Sequence, residues 1–308
     1  MKGLELSRKY YDTYKDYLLD MVPEAKGRIV AGLVGEGSQC FGYDDSISQD
    51  HDFGPGFCIW LTNEDFDAFG EKLQQAYDQL PDDFAGFSRK GFIAKDRWGV
   101  MRISDFYRRF TGTSDGEPKS LLDWLFIPES QLATVTNGEV FEDGPKHFTE
   151  VRHKLLAFYP EDVRRKKIAA RAAVMSQAGQ YNLFRCIQRQ DSVASLQAMG
   201  RFVEAAISMA HLLERRYTPF YKWGFHSLKN LALGEVLAPQ LEKLLTVSSY
   251  QEAFDITESI CSVIAEELRR QGLSTCTSNF LQDHLAEIMD GIKDDQLRNL
   301  PAMIDCQN

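Results

Sequence analysis

Two short stretches carry side chains able to do chemistry together. The first is the turn Gly35-Glu36-Gly37-Ser38, and the second, eleven residues further on, is Asp50-His51-Asp52. If a strand begins at the acid pair, its period of two puts Asp50 and Asp52 on one face and His51 on the other, where it reads as structural. Two adjacent carboxylates repel, and a divalent cation relieves that repulsion. Oxygen-only ligands suit Mg²⁺ (or Mn²⁺), which shares its shell with water and substrate phosphates. A Gly-Ser turn leaves backbone N–H groups and a hydroxyl available to an anion such as phosphate. Cradle and metal pair together are the apparatus of phosphoryl or nucleotidyl transfer, where positioning and charge neutralisation do most of the catalysis. Other motif readings fit less well. The glycine after Gly35 and Gly37 is Gly42, which misses the dinucleotide pattern, and neither a Walker A loop nor a G-x-S-x-G elbow is present.

Elements that must hold these residues are legible in two halves. Up to about residue 145, short apolar runs alternate with helical patterns and glycine turns. Residues 5–20 read as a helix, and 28–35, 56–61, 91–94, 99–103 and 138–141 as strands. Thr62 or Asn63 caps a helix with Phe66, Phe69, Leu73 and Tyr77 along one stripe. Beyond Pro145 the pattern is helical. Pro160 starts one helix. Residues 192–217 place Val193, Leu196, Met199, Val203, Ile207, Ala210, Leu213 and Tyr217 on an expected core stripe. Ser249 opens another helix, with Phe254, Ile256, Ile260, Val263, Ile264 and Leu268 inward, closed by Gly272. The run Arg164-Arg-Lys-Lys167 with Arg171 reads most simply as the solvated face of a helix.

Composition sets outer bounds. The 308 residues carry 35 Lys+Arg against 45 Asp+Glu, a formal charge of −10, which argues against a surface built to coat an extended nucleic acid. No apolar run of signal-peptide length opens the sequence and no stretch of about 18 apolar residues occurs, so a soluble cytoplasmic protein without membrane contact is expected. The six cysteines form no close pair and read as reduced thiols.

A hydrophobic residue, Gly-[Gly/Ser], a short spacer and D-h-[DE]-h make up the signature of the DNA polymerase β-like nucleotidyltransferase superfamily, and this sequence resembles its members. Asn137-Gly-Glu-Val-Phe-Glu-Asp-Gly144, Tyr159-Pro-Glu-Asp-Val163, Gln180-Tyr-Asn182 and Leu213-Glu-Arg-Arg-Tyr-Thr-Pro-Phe-Tyr-Lys-Trp223 are similar to a bacterial branch that pairs a minimal nucleotidyltransferase domain with a helical domain of unknown function. That branch is related to the aminoglycoside and lincosamide nucleotidylyltransferases. The resemblance implies an α+β N-terminal domain over residues 1–145, with a small mixed sheet and helices, followed by an all-α helical bundle over 146–308 and an active site between them.

By position, it implies that Asp50 and Asp52 ligate Mg²⁺ and that Gly37 and Ser38 hold the phosphates of ATP or another NTP. The family's third carboxylate, a metal ligand or base on a later strand, has Asp105 as its nearest counterpart; that residue also reads as an acid serving a helix dipole. Lys222 is either a phosphate contact or a surface lysine lying over aromatics, and Arg185 and Tyr181 are further nucleotide-binding candidates. Two functions follow. One is an enzyme moving NMP to a hydroxyl of a small molecule or protein; the other is a catalytically weak nucleotide-binding regulatory or antitoxin-like protein. A homodimer through the helical half is also open.

Overall fold

The structure, a computed structural model, describes residues 1–48, 53–89, 97–247 and 249–306. The acid pair Asp50 and Asp52, His51 and the expected strand at 91–94 lie outside the described residues. The chain is mixed α+β and divides into two compact units, one of residues 1–118 and 131–157, the other of 119–130 and 158–308. Among the described residues, no helix is long and apolar enough to cross a membrane.

The first unit is built on strands β1 (Val30–Leu33), β2 (Cys58–Leu61), β5 (Gly99–Arg102) and β6 (Glu139–Asp143), in the order β5-β2-β1-β6. β1 runs antiparallel to β2 and β6, and β2 parallel to β5, a mixed sheet. A two-residue hairpin, β3 (Asp83–Phe84) with β4 (Phe87–Ser88), stands apart and has no counterpart in the sequence reading. Helices of this unit are α1 (Gly3–Met21), the four-residue α2 (Ser38–Phe41), α3 (Asn63–Asp65) continuing through a π-type turn at Phe66–Gly70 into α4 (Glu71–Asp78), and α5 (Ile103–Thr111). Thr62 caps α3 by accepting from the Asp65 N–H at 3.1 Å, as expected.

Alternation along β2 sorts its side chains into two layers. Phe57, Ile59 and Leu61 join Tyr10, Tyr11, Leu73 and Tyr77 from α1 and α4 in one buried cluster. Trp60 points the other way and stacks on Phe148 at 4.5 Å, with Phe106 at 5.2 Å. β2 begins only at Cys58, so the described residues just after the acid pair, 53–57, approach the sheet as irregular chain.

Helices α6 (Leu121–Phe126) and the start of α7 (Glu129–Val135) fall in the second unit, while α8 (His147–Leu156) returns to the first. The second unit continues with α9 (Glu161–Met175), a π-type turn at Ser176–Leu183, α10 (Phe184–Gln188), α11 (Ser192–Leu213), α12 (Tyr221–Leu228), α13 (Ala232–Leu244), α14 (Tyr250–Arg270), α15 (Leu285–Asp290) and α16 (Asp295–Asn299). α14 matches its cap and end signals and most of its stripe: Ser249 accepts from the Glu252 N–H, Ile256, Ile260, Ile264 and Leu268 are buried while Phe254 and Val263 are half-buried, and Gly272 follows with φ +65°.

Two expectations fail here. Val193 and Leu196, at the start of the supposed core stripe of α11, are each 68% exposed; of that stripe Ala210 and Leu213 are buried, beside Phe202, Ala205, Ala206, Met209 and Leu212, which the stripe did not include. Periodicity marks an apolar face but not how much of it a neighbour covers. The basic run is not a solvated face either. Arg164, Lys166 and Lys167 are buried because α9 is enclosed on all sides, and every one of them has partners. Arg164 binds Glu161, the Leu212 carbonyl and Gln271, Lys166 the Leu300 carbonyl, and Lys167 Asp305. Charge type is readable in a sequence; the distant counter-ions that permit burial are not.

Candidate functional site

The chain leaves β1 at Leu33 and turns through Gly35, Glu36 and Gly37 into α2. Gly37 has φ +111° and ψ 153°, a conformation essentially closed to residues with a Cβ. A Cβ placed there would lie 3.7 Å from Arg97 Nη1, so a guanidinium stands beside the turn. The turn is held from across the sheet by Asn137. Its Oδ1 accepts from the Gly35 N–H at 2.9 Å, and its Nδ2 donates to the Gly35 carbonyl at 2.8 Å. Gly138, next in sequence, has φ +64°, and a Cβ on it would come within 1.9 Å of the Leu33 carbonyl oxygen. The Asn-Gly pair therefore reads as a turn signal in the sequence, but its larger role is to let β6 approach β1 closely enough to clamp the cradle.

Beside the turn lies a recess of about 160 Å³ lined by the polar groups of Gly35, Glu36, Arg97, Asp105 and Arg109 and the apolar groups of Val34, Cys58, Met101, Phe106 and Phe110. Arg109 donates to Glu36 at 2.6 Å, with both side chains about half exposed. Asp105 sits in the first turn of α5, as the helix-dipole reading expects, and also on the recess. It accepts from Arg108 Nη1 at 3.2 Å and lies 4.0 Å from Arg102 Nε. Ser104 does not cap this helix; its hydroxyl bonds Asn63 Oδ1 at 2.7 Å, and α5 starts at Ile103. Burial pushes the Cys40 thiol up to about 12 and raises Cys58 strongly as well, so neither thiol beside the turn is a nucleophile at neutral pH.

The recess thus gathers Gly35, Glu36 and Asp105 from the sequence motifs and adds Arg97 and Arg109; Gly37 and Ser38 stand in the adjoining turn and are not among its lining residues, and Asn137 acts through Gly35. Ser38, half-buried, opens α2 directly after Gly37. Guanidinium groups beside a glycine turn suit phosphate oxygens, to which Arg forms paired, charge-assisted hydrogen bonds. Among the described residues, no group of three or more His, Cys, Asp or Glu side chains could hold a metal ion.

Tyr181, Arg185 and Lys222 belong to the helical unit. Arg185 stacks its guanidinium 3.7 Å above the Tyr181 ring, and both residues are exposed. Lys222, in the first turn of α12, is exposed with its ammonium 5.1 Å from the Trp223 ring.

Residues 124–224, about a third of the chain, match the family model described as a domain of unknown function (DUF4037). No curated protein matches the chain. Among solved structures it is similar to a nucleotidyltransferase-like protein from Exiguobacterium sibiricum 255-15, at 11% sequence identity and a TM-score of 0.38, over 92% of this chain and 79% of that one. A likeness at that level decides nothing about what this chain does.

Proposed function

We propose that the chain binds a nucleoside triphosphate, ATP being the expected one, at the Gly35–Ser38 turn and transfers its nucleoside monophosphate to a hydroxyl of a small molecule or protein. The observation that supports this most is the turn itself: a glycine-only backbone at Gly37, clamped through Gly35 by Asn137 and flanked by the guanidinium of Arg97. Such a turn offers phosphate oxygens fixed N–H donors and positive charge without rearrangement. In the transfer, the acceptor oxygen bonds the α-phosphorus as the bridging oxygen to the β-phosphorus leaves with pyrophosphate. Asp105, on the recess, is the candidate to take the acceptor's proton. Mg²⁺, held by Asp50 and Asp52, would supply charge neutralisation when bound.

A second reading, nucleotide binding for regulation without turnover, draws on the ion pair that Asp105 makes with Arg108, which occupies the carboxylate that would take the acceptor's proton. The two separate on one experiment. With α-labelled ATP and Mg²⁺, transfer predicts pyrophosphate release and a labelled acceptor in the wild type, and neither in Asp50→Asn or Asp52→Asn. An ATP-dependent rise in melting temperature without pyrophosphate release supports the regulatory reading. No thermal response to ATP and Mg²⁺ rejects both.

A further inference from the structure

Two of the motifs noted in the sequence, Tyr159-Pro-Glu-Asp-Val163 and Leu213–Trp223, lie in the helical unit. Within the helical unit they converge. Tyr217 packs edge-on against Tyr159 with ring centroids 5.0 Å apart, and Thr218 Oγ1 donates to Glu129 at 2.6 Å. Glu129 also accepts from Ser208 at 3.0 Å and from Arg171. Arg171 turns its other terminal nitrogen to Asp305 Oδ2 at 2.6 Å, and Lys167 donates to the same oxygen at 3.1 Å. The four charges are nearly or fully removed from solvent and balance only because Asp305 is present.

Asp305 reaches this place on a short 3₁₀ turn, Ile304–Cys306, after the chain passes Leu300, whose carbonyl accepts from Lys166. Burial opposes ionisation of Asp305, but Arg171 and Lys167 outweigh it and hold the carboxyl below its ordinary range. The remaining group is Tyr159. Its hydroxyl is buried within electrostatic reach of Glu129, Arg171 and Asp305, its ring faces the Lys167 ammonium at 5.3 Å, and among the described residues it has no hydrogen-bond partner. A buried hydroxyl left unpaired is unfavourable, and here it stands beside two cations that share one carboxylate oxygen. Glu129, Tyr159, Lys167 and Arg171 all fall inside the stretch that matches the family model; Asp305 falls outside it.

We propose that Lys167, Arg171 and Tyr159 form a phosphate site in the helical unit, in which the Asp305 carboxylate is the resident internal anion and from which a phosphate-bearing small molecule displaces it. Withdrawal of Asp305 leaves one net positive charge among Lys167, Arg171 and Glu129. A tetrahedral oxoanion offers more acceptor oxygens than a carboxylate and can take the Tyr159 hydroxyl as well as both cations. The site is independent of the nucleotide reading at Gly35–Ser38.

The test uses the full chain with inorganic phosphate, AMP and, as a control, sodium chloride of matched ionic strength. In the wild type, phosphate or AMP should speed amide hydrogen exchange over residues 300–306 saturably, by about tenfold or more, and chloride should not. Asp305→Asn should bind the same ligand at least about tenfold more tightly, because the competing charge is gone. Tyr159→Phe should leave the melting temperature nearly unchanged, since the hydroxyl has no partner to lose, yet weaken phosphate binding to the Asp305→Asn protein. AMP acting at lower concentration than phosphate assigns the site to phosphomonoesters; equal action assigns it to the free ion. Exchange that ignores phosphate, or responds equally to chloride, overturns the proposal, and the wild-type measurement decides this even if Asp305→Asn does not fold.

Discussion

Around the recess of the first unit, Glu36 and Arg109 meet with 42% and 49% of their side chains still exposed. In the helical unit, Glu129 and Arg171 meet with 7% and 12% exposed. The same pair of charge types therefore does two different jobs. In water the attraction is screened and the pair separates at little cost, so either member is available to an incoming charged group. Out of water both charges have been stripped of solvent, and losing one partner strands the other. The recess exchanges partners at little cost, whereas the helical cluster gives up an anion only when another takes its place.

The sharpest way to break that contrast is to remove one member of the buried set. Arg171→Met should lower stability by about 3–5 kcal/mol, read from the urea midpoint, because Glu129 and Asp305 lose their shared cation. A loss under about 1 kcal/mol would place the cluster with the surface pairs. Next comes Asn137→Ala, which deletes both bonds to Gly35. We expect a cost of about 1–3 kcal/mol and a weaker thermal response to ATP, since the cradle loses its clamp. Gly37→Ala should cost roughly 1–2 kcal/mol in backbone strain while abolishing that response. At the far end, Glu36→Gln should change stability by no more than about 1 kcal/mol, the range of exposed pairs, and leave Arg109 without its carboxylate.

Acid sharpens the comparison from another side. His211 is buried in the helical unit, with Nδ1 donating to the Ile207 carbonyl at 2.8 Å and Nε2 hydrogen-bonded to the Ser227 hydroxyl at 2.8 Å. Burial holds its pKa below 6.5. The unfolded chain then binds the proton first, so stability is full above about pH 6.5 and declines as pH falls through the window down to the folded value. Glu129 and Asp305, whose folded values are held low by Arg171 and Lys167 against burial, add a second loss at lower pH, below the ordinary carboxylate values of 4.5 and 3.8. Urea midpoints between pH 7.5 and 5 should fall for the wild type. A flat profile there would contradict a neutral buried His211.

What could be read from the sequence follows the same division. Local signals in the first unit hold well: the apolar strand at 30–33, the Thr62 cap and the strand at 99–102 depend on neighbours a few residues away. So does α14, capped by Ser249 and closed at Gly272. The Asn137 clamp was not legible, because it joins residues 102 apart and leaves no periodic trace. The basic run on α9 misled for a related reason. Lys167 and Arg171 look solvated until Glu129 and Asp305 are seen beside them, and no spacing rule links those four positions. The acid pair Asp50 and Asp52, the most specific part of the sequence motif, lies outside the described residues, so its part in the site rests on sequence alone.

Lys167 and Asp305 are separated by 138 residues, and that distance is also an interval of time. A ribosome adding about 5–20 residues per second delivers Asp305 roughly 7–28 s after the helix that needs it. Throughout that interval Lys167 and Arg171 have only one of their two buried carboxylate partners, Glu129. Enclosing α9 dry would bury an unanswered cation, so the helix must stay wet until its counter-ion is made. Synthesis order thus places the closing of this part of the helical core after Asp305 has been made.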